Sequence, residues 1–396
     1  MSRLEELIAE LCPNGVEYKR LADICNRQKG IAITAGEMKE LDTPSGDIRI
    51  FAAGNTIANV NYEDIPAASV ITIPSVIVKS RGNIGFEYYD KPFTHKNEMW
   101  SYSSKDKNIN IKFVYYFLDN HINEFQVKAK TGKLPQISTP DTDNYKIPVP
   151  PLPIQEEIVR ILDKFAELTA ELTAELTKRK QQYQYYRDNV FLSCKGILWK
   201  KMEEEFPFIR NGFVGTVTPF FSDKDNGIRY IEGTNIHNGR ISDNKTVYVT
   251  KDFHNKYKKN ELKKDDILMV QSGHVGETAV VGNEYEGANC HALIIMSNAG
   301  KCNSHFINYY FQTTEGKNKL KKITTGGTIK HILASAMKKF LIPVPPLEEQ
   351  ERIVAILDRF DALCNDLASG LPAEIEARKK QYEYYRDKLL TFKEAV

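Results

Sequence analysis

Residues 147–168 read IPVPPLPIQEEIVRILDKFAEL, and residues 342–363 read IPVPPLEEQERIVAILDRFDAL. Fifteen of these 22 positions are identical at an offset of 195 residues. Farther along, RKQQYQYYRD at 179–188 matches RKKQYEYYRD at 378–387 in eight of ten positions at an offset of 199, so four extra residues separate the two blocks in the second copy. A period of about 200 residues is too long for a solenoid. The repeat therefore indicates a domain duplication.

The repeated segments predict long helices. The prolines of PVPPL hold the chain extended, and residues 154–191 then contain neither Gly nor Pro. Apolar residues of the first copy occupy the a and d positions of a coiled-coil heptad: Ile158, Phe165, Leu172 and Tyr186 in one column, Leu162, Leu176, Tyr183 and Val190 in the other. The second copy begins the same seam, which Ser369-Gly370-Leu371-Pro372 interrupts before a helix resumes at Pro372. We expect the two helices to pack antiparallel, although a generic helical hairpin that only stabilises the fold would show the same pattern.

Two divergent domains alternate with these helices. β-rich runs lie at 70–78, 246–250, 267–270 and 292–296, and helical runs lie at 113–121 and 304–312. The predicted fold class is α+β: two domains of mixed α/β character, separated by a pair of long antiparallel coiled-coil helices and related by a pseudo-two-fold internal duplication. The predicted boundaries are 1–147 and 193–342 for the variable domains, and 148–192 and 343–396 for the helical spacers.

Composition places few limits on function. The chain is 41% hydrophobic and 27% charged, as in folded globular proteins, and its longest apolar stretch, 69–78, contains Pro74. The N-terminus predicts an amphipathic helix and lacks the pattern of a signal peptide, so we expect a cytoplasmic protein with reduced cysteines. Net charge is only +2, but residues 251–340 carry fourteen Lys against eight acids, and residues 79–133 carry ten Lys or Arg against six. Such local excesses favour a polyanionic partner.

Motifs for chemistry are missing from the sequence. It has no Asn-Pro-Pro-aromatic run, no Gly-rich cofactor turn after a strand and no G-x-S-x-G elbow. Thr131-Gly132-Lys133 lacks the upstream Gly of a phosphate-binding loop, because Val127 holds that place. Cys290-His291 and Cys302-x-x-His305 lack the close Cys pair typical of zinc sites. We therefore predict no enzymatic activity, cofactor or metal in this chain by itself.

Polar and cationic loops recur at matching places in both variable domains. Residues 79–83 end a β run, as do residues 271–274, and Arg or Asn side chains there suit guanine or adenine edges. Residues 94–97 and 289–291 are expected to form second loops, while 130–136 and 325–331 are expected to contact phosphates. The predicted DNA-binding residues are Lys79, Ser80, Arg81, Asn83, His95, Lys96, Asn97, Lys130, Lys133 and Gln136 in the first domain, and Gln271, Ser272, His274, Asn289, His291, Thr325, Thr328, Lys330 and His331 in the second.

With these features, the chain resembles a type I restriction–modification specificity subunit. The resemblance rests on the two PVPPL-x-x-Q-E segments, the two ILDxF motifs, the two YYRD motifs, the run GLPAEIEAR at 370–378 and the CPNGV segment at 12–16. It covers the whole chain, whereas the variable domains are too divergent to carry individual contacts across. The first helix departs from the second through three copies of AELT at 166–177, which puts strict two-fold symmetry in doubt.

The resemblance implies a division of labour among subunits. Each target recognition domain would read one half of a split double-stranded DNA sequence, and the helices would set the spacer between the halves. Two modification (methyltransferase) subunits would dock on the helices and supply S-adenosylmethionine chemistry, and restriction subunits with translocase and endonuclease activity would use ATP and Mg. The predicted partner-binding residues are Tyr185, Arg187, Tyr384 and Arg386, which recur in both copies outside the predicted seam. Two alternatives stay open: a specificity subunit of a type IIB-like system, and a coiled-coil adaptor that binds protein.

Overall fold

The structure is a computed structural model that describes residues 3–129, 134–193, 196–366 and 369–395. The chain forms two compact units. Unit 1 combines Met1–Leu172 with Ile375–Val396, and unit 2 is Thr173–Glu374. Each unit thus groups one variable domain with helical segments from both copies of the repeat.

Unit 1 mixes short helices with two small sheets and a strand pair. Its elements before the long helix are α1 (Arg3–Leu11), β1 (Tyr18–Arg20), α2 (Leu21–Ile24), β2 (Cys25–Lys29), α3 (Ala35–Leu41), β3 (Ile48–Phe51), β4 (Ile57–Val60), β5 (Ser75–Lys79), β6 (Gly85–Tyr89), β7 (Phe93–His95), β8 (Trp100–Ser104), α4 (Ile111–Asn120), α5 (Ile122–Lys128), α6 (Thr139–Asp143) and β9 (Lys146–Pro148). Strand order is β2-β8-β5-β6 in one sheet and β4-β3-β7 in the other, and β1 pairs with β9. All these pairings are antiparallel except β3 with β7.

Unit 2 repeats this plan. Its elements after the long helix are β10 (Leu198–Lys201), α8 (Met202–Glu205), β11 (Phe208–Asn211), β12 (Phe221–Ser222), β13 (Ile228–Ile231), β14 (Ile236–His237), β15 (Arg240–Ile241), β16 (Val247–Val249), α9 (Lys251–Lys256), β17 (Ile267–Val270), β18 (Thr278–Val280), β19 (Asn289–Cys290), β20 (Leu293–Ser297), α10 (Ser304–Gln312), α11 (Thr314–Ile323), α12 (Ala334–Lys338) and β21 (Leu341–Val344). The orders β11-β20-β17-β18 and β16-β13-β19 match those of unit 1, and β10 pairs with β21. Unit 2 adds β12 at the edge of the second sheet and the separate pair β14-β15. Here too one pairing is parallel, that of β13 with β19. The duplication therefore extends through both variable domains.

The repeated segments form the predicted helices. The first copy is one continuous helix, α7 (Leu152–Leu192), of 41 residues. The second copy is split into α13 (Leu347–Asn365) and α14 (Leu371–Leu389), and the break falls at the predicted Ser-Gly-Leu-Pro site.

Helix pairing occurs within each unit. In unit 1, Phe165 of α7 lies against Tyr385 of α14, with ring centroids 5.5 Å apart. In unit 2, the ring centroids of Tyr186 on α7 and Phe360 on α13 lie 5.5 Å apart. Ser193, which follows Tyr186 along the chain, lines the same groove as Arg352, which precedes Phe360. The helices of unit 2 are thus antiparallel, as predicted. Of the predicted seam residues, Ile158, Leu162 and Tyr183 are buried, whereas Tyr186 is 44% exposed.

One glutamine in each repeated motif connects the variable domain to its helix by hydrogen bonds. Gln155 accepts a hydrogen bond from the Asn110 amide (2.8 Å) at the start of α4, and Gln350 accepts one from the Asn303 amide (2.8 Å) at the start of α10. The same glutamines donate to the carbonyls of Pro150 (2.7 Å) and Pro345 (2.8 Å) respectively. Both glutamines are buried. The Q of PVPPL-x-x-Q-E is therefore a structural link between the proline segment and the domain.

The Asp of each ILDxF motif makes a second connection between the variable domain and the helix. The Tyr116 hydroxyl donates to Asp163 (2.6 Å), and the Tyr309 hydroxyl donates to Asp358 (2.6 Å). Burial, together with these bonds to carboxylates, raises the pKa of both tyrosines well above the usual value. Each hydroxyl is thus a neutral donor at physiological pH. In unit 1, Lys112 also pairs with Asp163 at 2.7 Å.

The end of the chain completes unit 1. Val16 bridges Glu394 in parallel, and the Tyr18 hydroxyl donates to the Phe392 carbonyl at 3.2 Å. Leu390 is buried in the same core as Ile154 and Leu162. The last residues therefore pack beside the first strand of unit 1.

Most predicted elements are confirmed. The run at 267–270 is β17, and the helical runs at 113–121 and 304–312 are α4 and α10 within two residues at either end. The run at 70–78 is shorter than predicted, because β5 begins only after Pro74. Among the described residues, no helix is long and apolar enough to cross a membrane.

Candidate nucleic-acid interface

A glycine turn follows the equivalent strands β5 and β17. Gly82 has φ +76° and Gly273 has φ +85°, in the left-handed region that favours glycine. A Cβ atom at either position would meet nothing within 4 Å, so both turns face open space. Arg81 and Asn83 beside the first turn are exposed, as is His274 beside the second. The predicted equivalence of 79–83 and 271–274 is confirmed in position and backbone form.

A second segment lies directly beside each turn. In unit 1, Arg81 bridges Gln136, and the amides of Gly82 and Ile137 donate to the carbonyls of Pro135 (2.9 Å) and Ser80 (3.0 Å). The Arg81 guanidinium also donates to the Gln136 side chain at 3.0 Å. The structure thus brings together two loops of the first domain that the sequence presents 55 residues apart.

Unit 2 has the same arrangement with other residues. Ser272 bridges His331, and the Ile332 amide donates to the Gln271 carbonyl at 3.1 Å. Thr325 and His331 exchange two backbone hydrogen bonds of 2.8 Å, which closes the loop between them. Thr328 and Lys330 are exposed on this loop. Each unit therefore presents a composite polar surface, which we call the turn–loop surface: residues 81–83 with 134–136 in unit 1, and residues 272–274 with 325–331 in unit 2.

The hairpin of β14 and β15 adds a feature that sequence reasoning missed. His237 stacks on His274 with ring centroids 5.3 Å apart and an interplanar angle of 17°. Arg240 of the same hairpin pairs with Asp361 of α13. The dipeptide Asn238-Gly239 forms the hairpin turn, with both residues at positive φ. This Asn-Gly pair was the available signal, since it is typical of two-residue hairpin loops.

Three predicted DNA-binding residues are buried: His95 and Asn289 of the second loops, and Ser80 of the first loop. His95 lies at the end of β7, where its Nε2 is 3.1 Å from Ser101 Oγ. Asn289 lies on β19, where its Oδ1 is 2.6 Å from His254 Nδ1, and Ser80 donates to the Glu98 carbonyl. His95 and Asn289 satisfy their polar atoms inside the protein because β7 and β19 pair with the central strands β3 and β13, and Ser80 does so directly after β5. They are not available to a ligand in this structure.

The other predicted residues have mixed placements. Lys79 pairs with Glu87 at 2.7 Å and Lys96 with Glu98 at 3.4 Å, so both cations are held on the protein. His291 is partly buried beside the Tyr230 hydroxyl (3.2 Å), and Asn97 is exposed. Lys130 and Lys133 lie outside the described residues.

Burial changes the ionisation of groups below the surface. It lowers the pKa of His95, so this imidazole is neutral at physiological pH. Its counterpart in unit 2 is Cys290, since both residues end the strand pairing in parallel with β3 or β13. Burial raises the pKa of Cys290 to about 12. Its thiol therefore stays protonated and unreactive.

The YYRD motifs divide into outward tyrosines and inward arginines. Tyr185 is 66% exposed and Tyr384 is 63% exposed, as the sequence predicts. Arg187 and Arg386, however, are only 12% and 22% exposed. Each guanidinium lies over a tyrosine of its own helix, Tyr183 (5.4 Å) or Tyr382 (5.6 Å). The prediction of exterior arginines is wrong, because a helical step of four residues puts each Arg on the same face as Tyr183, which is buried, or Tyr382, which is partly buried.

An open apolar groove runs beside the outward tyrosines of unit 2. Its volume is about 600 Å³, and its walls include Tyr185 and Tyr186 on α7 and Ile356 and Phe360 on α13. The stacking of Tyr186 on Phe360 is repeated in unit 1 by Tyr385 on Phe165, at the same 5.5 Å separation. The two units thus share an aromatic exterior on the repeated helices.

Within the part of the chain that the structure describes, no side chains are arranged as a metal site or a reactive thiol site. No group of three or more His, Cys, Asp or Glu side chains there could hold a metal ion. Cys12, Cys25, Cys290, Cys302 and Cys364 are all free thiols.

Comparison with known proteins agrees with this architecture. The family model "Type I restriction modification DNA specificity domain" matches residues 13–179 and again 200–377. The EcoR124I/EcoR124II specificity subunit of Escherichia coli is 33% identical over 312 residues, which cover 73% of each chain. A putative type I restriction enzyme specificity subunit of Haemophilus influenzae is 31% identical over 402 residues, covering 95% of this chain and 96% of its own.

Solved structures show the same fold. The crystal structure of a type I restriction–modification S subunit from M. genitalium aligns with a TM-score of 0.59 at 15% identity, covering 95% of this chain and 96% of that one. A chain from a study of complex assembly and conformational transition in the type I system aligns with a TM-score of 0.57 at 17% identity, covering 96% and 98%. With both variable domains matched by the family model, the chain belongs to the type I restriction–modification DNA specificity subunits.

Proposed function

We propose that this chain is the DNA-reading subunit of a type I restriction–modification complex and that each turn–loop surface reads one half of a bipartite double-stranded target. The observation that carries the proposal is the repetition of this surface in both units, with equivalent backbone contacts and different side chains: Arg81 bridges Gln136 in one, and Ser272 bridges His331 in the other. A shared backbone arrangement that carries different side chains suits a target whose two halves differ in sequence. Arg81 can donate two hydrogen bonds to the O6 and N7 atoms of guanine, and Asn83 can donate to N7 and accept from N6 of adenine. Lys330 suits a phosphate.

In this proposal, the partner subunits carry out the methylation and cleavage reactions. Two modification subunits bring S-adenosylmethionine, and restriction subunits bring ATP and Mg. The docking surface for the modification subunits is the exterior of the repeated helices, because exposed tyrosines beside an apolar groove are typical anchors of protein interfaces. Tyr185 and Tyr384 occupy equivalent positions there, which provides one docking position per copy of the repeat.

Reconstitution with purified modification subunits tests both parts. We expect the complex to methylate one bipartite sequence and the chain alone to show no methyltransferase, nuclease or ATPase turnover. A complex without sequence-dependent DNA binding would favour the coiled-coil adaptor and overturn the proposal. A partner that carries methylase and nuclease in one polypeptide would instead identify a type IIB-like system.

Docking has its own test. The double variant Tyr185→Glu with Tyr384→Glu should abolish co-elution with the modification subunits on size-exclusion chromatography. Tyr62→Glu, at an exposed tyrosine of the variable domain, is the matched control and should assemble normally. Intact assembly of the double variant would place the docking surface elsewhere.

A further inference from the structure

One aliphatic side chain is exposed at the equivalent place of each turn–loop surface. The bridging residues Gln136 and His331 fix the equivalence, because each pairs with the residue just before a turn glycine. Two positions before them lie Leu134, 59% exposed, and Ile329, 62% exposed. A large aliphatic residue on the surface is ordinary by itself. Its recurrence at the same point of two divergent loops is not accounted for by packing, since neither side chain belongs to a hydrophobic cluster of the described residues.

The backbone holds both side chains outward. Leu134 directly precedes Pro135, whose carbonyl accepts the Gly82 amide, so the segment is tethered to the turn. Ile329 lies within the loop closed by Thr325 and His331. Its carbonyl comes so near Gly326, which has φ +101°, that a Cβ there would lie 2.2 Å from the oxygen. Both tips are therefore anchored by backbone contacts.

Charge around the tips indicates the kind of partner. Arg81 adjoins the turn beside Leu134, while Lys330 follows Ile329 and Lys321 and Lys322 are exposed on the preceding helix. A protein partner that buried either tip would also have to desolvate these cations, whereas DNA neutralises them with phosphates. Proteins that bind the minor groove frequently insert apolar side chains between base steps and partly unstack them.

We propose that Leu134 and Ile329 are paired apolar wedges, each of which inserts at a base step of its own half-site. This inference rests on the proposed function, because it assumes that the turn–loop surfaces face DNA. It assigns the two residues a role that differs from phosphate contact: a wedge gains affinity from contact with bases and releases no counterions. Affinity should therefore depend on the wedge while the salt dependence of binding does not.

The test uses the full chain assembled with its modification subunits on duplexes that carry 2-aminopurine at successive half-site positions. We expect fluorescence to rise on binding at one step in each half-site, because the step is unstacked. Leu134→Ser should remove the signal in the first half-site only, and Ile329→Ser in the second only. Each variant should bind about ten- to a hundredfold more weakly, with an unchanged slope of log affinity against log salt.

Matched controls separate the wedge from general loss of surface apolarity. Ile73→Ser and Phe208→Ser remove exposed apolar residues at the opposite ends of the same two sheets and should leave affinity and fluorescence unchanged. Leu134→Met and Ile329→Met keep an apolar side chain and should retain the signal.

The inference is overturned if the wild-type complex binds its target with no fluorescence rise at any step. It is also overturned if the Ser variants bind as the wild type does, or if they lose subunit assembly while DNA binding by the assembled fraction is normal. Loss of all sequence-dependent binding by the wild-type complex would instead contradict the proposed function itself.

Discussion

The two copies of the repeated segment differ in continuity. The first is a single helix of 41 residues that includes the AELT run, and the second is two helices of 19 residues each, separated by the Ser-Gly-Leu-Pro break. The contacts to the variable domains are nevertheless the same, through Gln155 and Gln350 and through Asp163 and Asp358. The attachment of each domain to its helix is therefore repeated, as is the backbone of the turn–loop surface. Helix length and the side chains of the reading surfaces differ.

The largest effect is expected from a change in the length of α7, the continuous helix. Deleting Thr173–Leu176 removes one four-residue unit, which shortens α7 by about 6 Å and rotates the remainder by about 40°. B-DNA turns about 35° per base pair, so the rotation matches one pair. We expect the same two half-sites with a spacer shorter by one base pair, or by two if the translation of about 6 Å dominates. Binding to the original target should be about 1,000-fold weaker, because one half-site falls out of register. The measurement is methylome sequencing with the variant; an unchanged spacer would show that α7 does not measure DNA.

The attachment itself is tested by its two glutamines. Gln155→Leu and Gln350→Leu should each destabilise their own unit by about 3 kcal/mol, because the backbone groups of Asn110 and Pro150, or of Asn303 and Pro345, lose the hydrogen bonds of a buried glutamine. Amide hydrogen exchange should rise at the start of α4 in the first variant and of α10 in the second. Gln184→Leu, on the exposed face of α7, is the control. If both units were unaffected, the repeated glutamine would have no structural role.

The reading surfaces should differ in what a single substitution changes. Arg81→Ala should cost about 1–3 kcal/mol and relax one position of the first half-site. Lys330→Ala should weaken all sequences equally and reduce the salt slope by about 1. Binding titrations at several salt concentrations, with methylome sequencing, separate the two effects. An unchanged affinity and target for Arg81→Ala would remove it from the interface.

The smallest expected effect is a difference in pH dependence between the units. Burial lowers the folded-state pKa of His95 below its ordinary value of 6.5, so the unfolded chain binds this proton more readily than the folded one. Stability from His95 is then complete above pH 6.5 and falls as pH decreases toward the folded-state pKa, by at most about 1.4 kcal/mol per pH unit. Cys290 does not titrate in this range, because its pKa is raised to about 12.

His95→Cys should make unit 1 resemble unit 2 in this respect. Denaturant unfolding at pH 7.5 and 5.5 should show a smaller loss on acidification for the variant than for the wild type, whatever its absolute stability. His305→Cys, at an exposed histidine, should retain the wild-type loss. Equal losses in all three chains would mean that His95 is not the group responsible.

The site was predictable where local chemistry decides it. Gly82 and Gly273 need φ above zero, and the polar residues beside them mark turns whatever the rest of the chain does. His237 was missed because its stacking on His274 joins residues far apart in sequence. His95, Asn289 and Ser80 were assigned to the surface for the converse reason, since polar residue types look exposed in sequence. His95 and Asn289 are buried because β7 and β19 pair with central strands, and Ser80 is buried directly after β5.

The sequence alone determined the duplication, the long helices and their break, because these follow from identity at fixed offsets and from the backbone limits of Pro and Gly. The tertiary structure decided which face of each helix is buried. Arg187 and Arg386 share the YYRD motif with Tyr185 and Tyr384, yet the arginines turn inward and the tyrosines outward. A helix of mixed character has several possible apolar stripes, and the neighbouring domain selects one by supplying complementary side chains. For Arg386, that neighbour includes Asp119, at 4.0 Å.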